Sequence, residues 1–244
     1  MLAWAVTDKG TARWENQDSF HLELSHAVDQ AACVVCDGMG GARSGNVASR
    51  VAADVFIDSL LLQVKPGMNP KNLRAALASA VSSANRQVYE KAQTDASYCG
   101  MGTTLVGAVA SPDGAVVVNV GDSRAYLISD EGIRQVTRDH SLIEDLLERG
   151  ELSREEAKNH PSKNLITRAL GTEETVIPDL YTVALGEGDF LLLCTDGLTN
   201  VVEDQEILFE VLHGGDPVFA CDRLVSLANS RGGPDNITIV LIHI

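Results

Sequence analysis

An α+β architecture, with antiparallel strands in blocks and helices in two separate blocks, is predicted by three observations on this 244-residue chain. Short β-prone runs cluster at the start, in the middle and towards the end. Amphipathic helical stretches separate these clusters and do not alternate with single strands, which argues against βαβ units. The hydrophobic content of 45% is enough for a sizeable core, and the absence of a long linker, repeat period or low-complexity tract predicts a single domain over residues 1–244.

The first strands are expected over Leu2 to Val6, Ser19 to Leu24 and Ala32 to Cys36. From Asn46 the period changes: Val47, Val51 and Val55 recur every fourth residue beside Ala48, Ala52 and Phe56, a helical stripe. Asn69 followed by Pro70 supplies an N-cap and a first-position proline for a second helix, with Leu73, Leu77, Ala80, Ala84 and Val88 on one face. Strands resume over Thr103 to Ala110, Ala115 to Val120, Ala125 to Ser129 and Ile133 to Thr137, with Asp113-Gly114 as a hairpin turn. From His140 to Pro161 the chain is polar with helical propensity, and Ser153 and Glu156 have the spacing of a capping box. Val176 to Ala184 and Asp189 to Cys194 read as strands, Asp204 and Asp216-Pro217 as caps of two further helices, and Ile237 to Ile242 as the last strand.

The charge excludes whole classes of partner. Nineteen Lys and Arg against 34 Asp and Glu leave a net charge of −15, which repels phosphate backbones and anionic lipid. No nucleic-acid or membrane-surface role is expected. No apolar run approaches the roughly 18 residues of a membrane span, and Asp8 stands too early for a secretory signal. A cytoplasmic protein, monomeric for want of any sign of obligate assembly, is the expectation. Its five cysteines, an odd and scattered set, are expected as reduced thiols.

Three apolar strands run into an aspartate flanked by a small residue: Val34 to Gly38, Val118 to Ser123 and Leu192 to Gly197. Asp235 opens the last strand after Gly232-Gly233-Pro234. A carboxylate at a strand end sits on the rim of a rigid sheet, and a neighbouring glycine lets backbone and ligand come close. If Asp37, Asp122, Asp196 and Asp235 converge, their mutual repulsion calls for a cation, and hard oxygens without His or Cys favour Mg²⁺ or Mn²⁺ over Zn²⁺. Taken singly, an Asp-Gly pair marks a turn. The segment Arg13 to Asp18 adds a guanidinium able to grip a phosphate through parallel donors.

Competing motifs fail. No Gly precedes Lys, so there is no Walker loop, and Gly38-Met39-Gly40 has Arg43 where a third glycine would stand. No cysteine has Arg six positions on, as a thiol phosphatase would need; Cys33 and Cys36 should point to opposite faces of one strand, and the six histidines form no H-x-x-x-H pair.

The chain resembles the metal-dependent serine/threonine protein phosphatases, the PPM or type 2C family, in their short bacterial form. The resemblance is carried by Arg13 to Asp18 (R-x-x-N-Q-D), Val35 to Gly41 (V-C-D-G-M-G-G), Gly100 to Thr104 (G-M-G-T-T), Val120 to Arg124 (V-G-D-S-R), Asp139-His140, Cys194 to Leu198 (C-T-D-G-L) and Gly232 to Thr238 (G-G-P-D-N-I-T), in family order. It implies an α/β/β/α sandwich of two face-to-face antiparallel sheets flanked by helices, with a flap at about residues 140–161. It also implies two Mn²⁺ or Mg²⁺ ions with room for a third. By the same resemblance Asp37 would bridge two metals, the Gly38 carbonyl would bind the second, and Asp196 and Asp235 would complete the first. Asp18 would act through a metal-bound water, Asp122 would join Asp196 at the third metal, and Arg13 would clamp the substrate phosphate.

The implied reaction is direct hydrolysis of phosphoserine and phosphothreonine by a metal-bridging water. Met39 stands where many eukaryotic members carry a histidine proposed as general acid, so His140 and His160, flanking the flap, become candidates to assist at the substrate. The implied partners are phosphorylated proteins and the bacterial Ser/Thr kinase that makes them. A pseudo-phosphatase that binds phosphoproteins without turnover, and a small-molecule phosphoesterase on the same site, are the alternatives. The first would be marked by missing ligand aspartates, and Asp37, Asp196 and Asp235 are all present.

Overall fold

The computed structural model describes residues 1–244 except 26, 28, 154, 155, 158, 159 and 163, and leaves the side chains of residues 41–43 undescribed. Among the described residues eleven strands form two sheets, and every pairing in both is antiparallel. One sheet has the order β1 (Leu2–Asp8), β11 (Ile237–His243), β10 (Phe190–Cys194), β7 (Arg124–Ser129), β8 (Gly132–Gln135). The other runs β2 (Asp18–Ser25), β3 (Gln30–Met39), β5 (Leu105–Ser111), β6 (Gly114–Val120), β9 (Asp179–Val183), with the short β4 (Gly102–Thr103) paired to the end of β3.

The two-residue period of the strands builds three apolar layers. In β3, Ala31, Cys33 and Val35 face the opposite sheet, while Ala32, Val34 and Cys36 face the helices α1 (Gly41–Gln63) and α2 (Pro70–Ala92). The same alternation in β10 sends Leu191 and Leu193 between the sheets and Phe190, Leu192 and Cys194 towards the helices α5 (Asp204–Leu212) and α6 (Ala220–Ser230). The α/β/β/α sandwich expected from the sequence is the observed fold, and Cys33 and Cys36 lie in different layers as expected.

Several boundaries move. The strand that the sequence ends at Cys36 continues through Asp37 and Gly38 to Met39, because β4 pairs with it there: Gly38 lies opposite Thr103 and Met39 opposite Gly102. The first helix starts at Gly41 and not at Asn46, behind Gly40, whose φ of 115° is open to glycine. The strand expected from Val176 begins at Asp179, since Pro178 has no N–H to offer a ladder. Glu203, not Asp204, caps α5, through a capping box with Glu206. Asp216 caps a 3₁₀ turn over Pro217–Phe219 ahead of α6. A short helix unforeseen from the sequence, α4 (Asp196–Thr199), turns the chain immediately after β10.

The segment after β8 holds α3 (Leu142–Glu148), capped by Ser141 accepting from the Glu144 N–H. The Ser153 and Glu156 capping box forms, with the Ser153 N–H donating to Glu156 Oε2 at 2.9 Å and the Glu156 N–H to Ser153 Oγ at 3.3 Å. The other helical positions expected there, 154, 155, 158 and 159, lie outside the described residues.

Candidate active site

One end of the sandwich, where β2, β3, β6, β10 and β11 begin or finish, collects the aspartates. Register does the first part of this: Asp18 on β2 lies directly opposite Asp37 on β3. The turns after β6 and β10 add Asp122 and Asp196, and the loop before β11 adds Asp235. A cleft of about 530 Å³ is lined by Arg13, Asp37, Gly38, Asp122, Asp196 and Asp235, with Asp18 buried beneath it.

Hydrogen bonds to named groups position several of these aspartates. Asp18 Oδ2 accepts from Thr238 Oγ1 at 2.7 Å and from Thr195 Oγ1 at 3.0 Å, so a hydroxyl on β11 and one just past the end of β10 hold a carboxylate of the other sheet. Thr238 is itself in hydrogen-bond contact with Thr7 Oγ1, which accepts from Asn16 Nδ2, so the loop around Asn16 joins the chain. The Asp37 N–H donates to Thr104 Oγ1, and its carbonyl accepts from the Thr104 N–H and from Thr103 Oγ1. Thr104 also touches Ser123 Oγ at 2.7 Å, which ties Asp37 to the turn carrying Asp122. Asp196 Oδ2 accepts from Asn200 Nδ2 one turn along α4.

Gly38 packs with its Cα against two carbonyls: a Cβ there would overlap the Gly45 carbonyl and stand 2.6 Å from the Gln17 oxygen. At Gly197 a Cβ would overlap the Asn236 carbonyl. These two glycines let α1 and the loop before β11 close on the aspartates.

The concentration of negative charge shows in the acidities. Burial raises the Asp37 carboxyl well above its ordinary value, and the charges of Asp18, Asp196, Asp122 and Asp235 raise it further. Asp18 is pushed to about 7, by burial first, against the opposing hydrogen bonds of Thr238 and Thr195. Asp122 also reaches about 7, from burial and then the charges of Asp196 and Asp139. Asp196 is raised by burial and by Asp235, and a hydrogen bond with Asp37 works the other way. Such groups hold protons unless a cation replaces them.

Two buried oxygens of this set, Asp18 Oδ1 and Asp196 Oδ1, have no hydrogen-bond partner. Among the described residues no three His, Cys, Asp or Glu side chains close into a finished metal cage. The fit to a divalent cation rests on the orphaned oxygens, the shared charge and a donor set made wholly of hard oxygen.

Arg13 lines the cleft with one donor, Nη2, on Asp235 Oδ2 at 2.7 Å, and its side chain is 53% exposed. The histidines are placed elsewhere. His140 is buried: its Nδ1 accepts from the Gly121 N–H at 3.0 Å, and its Nε2 lies 3.2 Å from Asp179 Oδ2 and 3.1 Å from Arg168 Nη1. The ring is thus engaged on both nitrogens and braces the turn before Asp122; it does not meet the cleft, contrary to the sequence expectation, because the polar segment around it folds inward. His160 is half-buried, accepts from the Ser162 N–H at Nδ1, and does not line the cleft either.

The motif Asp139-His140 has a structural meaning that the sequence does not disclose. Arg124 reaches both Asp139 oxygens, with Nε at 3.0 Å from each and Nη2 at 2.7 Å from Oδ2, which joins the strand after Asp122 to the start of the flap.

The family model described as Protein phosphatase 2C matches residues 11–224. The chain belongs to this family. The serine/threonine phosphatase stp of Listeria monocytogenes is 39% identical over 238 residues, covering 97% of this chain and 93% of the relative. The solved serine/threonine phosphatase Stp1 from Staphylococcus aureus superposes with a TM-score of 0.91 at 37% identity, covering 99% of this chain and 94% of the other. The catalytic domain of the phosphatase PstP, solved with two manganese ions, gives 0.84 at 33% identity over 98% and 96% of the two chains.

In this protein phosphatase 2C chain, several residues that shape the site escape sequence reasoning. Asn236 accepts from the Gln17 N–H at 2.8 Å and donates to the Lys9 and Glu15 carbonyls, so it clamps the whole loop that bears Arg13. Thr104, Thr195 and Thr238 lie inside the matched motifs, but nothing in their spacing says that their hydroxyls face the aspartates. Asn164 and Ile166, from the return of the flap, and Trp14 also line the cleft.

Proposed function

We propose that the protein is a metal-dependent phosphoprotein phosphatase that hydrolyses phosphoserine and phosphothreonine, with residues 1–244 as one catalytic domain and the segment at about 140–161 as its flap. The observation that carries this reading is the gathering of Asp37, Asp122, Asp196, Asp235 and Arg13 around one cleft. Divalent Mn²⁺ or Mg²⁺, two ions held through Asp37, Asp196, Asp235 and the Gly38 carbonyl with Asp122 at a third, would offset the phosphate charge and lower the pKa of the attacking water.

The chain's own residues supply the rest. Arg13 keeps one donor on Asp235 and has further guanidinium N–H groups to place on the equatorial oxygens as charge develops in the transition state. Asp18, oriented by Thr195 and Thr238 with one oxygen unpartnered, can hold a proton or accept one from water at its bare Oδ1. Neither His140 nor His160 is given a part. The natural substrates are phosphoproteins, which places the enzyme opposite a Ser/Thr kinase; a cytoplasmic monomer suits that role. Among the described residues no helix is long and apolar enough to cross a membrane.

The test is release of phosphate from a phosphothreonine peptide with Mn²⁺, with and without chelator, alongside Asp37→Asn and Asp196→Asn. Turnover should require metal and be lost in both variants. Equal rates with and without metal would sink the reading. Turnover of small phosphoesters with none of peptides would favour the phosphoesterase alternative.

A further inference from the structure

We propose that Trp14 is a recognition residue which, with Ile166 and Met39, forms an apolar rim to the cleft and selects phosphopeptides carrying an apolar side chain next to the phosphorylated residue. The inference rests on the phosphatase reading and names the substrate class within it. Trp14 is 98% exposed, beyond any other large apolar side chain among the described residues. A lone exposed apolar residue is ordinary on a protein surface. Trp14, however, lines the same cleft as the aspartates, immediately beside Arg13.

Its loop is not loose. The Thr11 and Ala12 N–H groups both donate to the Gly233 carbonyl, Arg13 is paired to Asp235, the Glu15 carbonyl accepts from Asn236, and Glu15 Oε1 accepts from Asn46. The backbone is therefore pinned on both sides of an indole that touches nothing the fold needs. Ile166 is anchored in the same way: it bridges to Ser141, and the next residue, Thr167, donates its N–H to the His140 carbonyl. Trp14 is open to solvent, Ile166 is partly buried at the cleft wall, and Met39, which also lines the cleft, follows Asp37 and Gly38 directly on β3.

An indole on a pinned backbone offers a large contact area with only two side-chain torsions to order. In the proposed reaction Arg13 and cations held by the aspartates would take the phosphate, which leaves these apolar side chains to meet the carrier. An apolar side chain adjacent to the phosphoresidue fits them; an acidic one would meet a chain of net charge −15.

The experiment compares Trp14→Ala with wild type, both loaded with Mn²⁺, on a phosphothreonine peptide flanked by leucine, the same peptide flanked by glycine, and N-acetyl phosphothreonine amide, which has no flanks. The loss of kcat/KM on the leucine-flanked peptide should exceed that on the amide by about tenfold, and Trp14→Phe should recover most of it. Equal losses on all three substrates, or no loss on the leucine-flanked peptide, would overturn the proposal. Trp4 and Trp14 are the only tryptophans, so a Trp4→Phe background makes Trp14 the sole indole reporter. Its emission should shift to the blue with a leucine-flanked peptide bearing a non-hydrolysable phosphonate, and not with the glycine-flanked one. If wild type hydrolyses none of the substrates, the phosphatase reading fails and the emission titration alone decides, absence of a shift refuting recognition at Trp14.

Discussion

Replacing Asp18 with asparagine should stabilise the metal-free protein at alkaline pH and do almost nothing at acid pH. Asp18 is buried, its Oδ2 is held by Thr195 and Thr238, and its Oδ1 has no partner. Asparagine keeps an oxygen for the two hydroxyls and has the shape of the protonated acid. Burial pushes the Asp18 carboxyl from an ordinary 3.8 to about 7 in the fold. An acid whose folded pKa is raised leaves stability intact below the unfolded pKa, and stability falls as pH climbs from there through the folded pKa. The shift of about three units is worth about 4 kcal/mol once the group is fully ionised at pH 8 or above, an upper figure because neighbouring carboxylates share the protons. Urea denaturation in chelator at pH 4.5 and pH 8.5 reads this directly. The Asp18→Asn advantage should open between the two pH values by a few kcal/mol and shrink when Mn²⁺ is added, since a cation relieves the wild type. An advantage that is flat with pH, or a variant less stable than wild type at pH 8.5 in chelator, would refute the idea that this carboxylate is held against its own charge.

Arg13→Ala should lower kcat/KM by about 100-fold. Its thermal midpoint should barely move, because a half-exposed ion pair contributes about 0–1 kcal/mol; a midpoint shift with full activity would contradict both parts. His140→Ala should cost about 1–3 kcal/mol by stranding the buried Gly121 N–H, with KM for phosphopeptide unchanged. Burial holds this imidazole below its ordinary 6.5, so its neutral form stabilises the fold above that pH and the contribution is lost as pH falls below it; the variant's deficit in urea midpoint should narrow towards pH 5. Gly38→Ala should destabilise by about 3 kcal/mol or more, since the new methyl meets the Gly45 and Gln17 carbonyls, and a wild-type urea midpoint would show that α1 gives way freely.

Much of the fold was legible because a two-residue period in the strands and a four-residue stripe in the helices report which face is buried. Val47, Val51 and Val55 do lie along α1 against the core, and Asn69 caps α2 by accepting from the Asn72 N–H. Two of the errors come from a long-range partner that no local window contains. Gly38 looks like the end of a strand until Thr103 arrives opposite it. His140 reads as a candidate to assist at the substrate, because it stands at the start of a polar segment, until Gly121, Arg168 and Asp179 engage its ring.

The site divides along the same line. Asp37, Asp122, Asp196 and Asp235 announce themselves because each follows or precedes an apolar strand, and strand ends of two packed sheets must meet at the edges of the sandwich. What orients them does not, because a hydroxyl's role depends on register. Thr238 is one of many threonines in β-prone surroundings, yet its pairing with Thr7 puts it on the inner side of β11, and Asp18 completes the chain from the other sheet. The carboxylates are therefore readable as residues that repel one another, and the groups that keep them together are readable only from the sheets. That asymmetry bears on design. Moving these aspartates to another sandwich without Thr104, Thr195, Thr238 and Asn236 would transfer the charge and leave behind the hydrogen bonds that hold it in place.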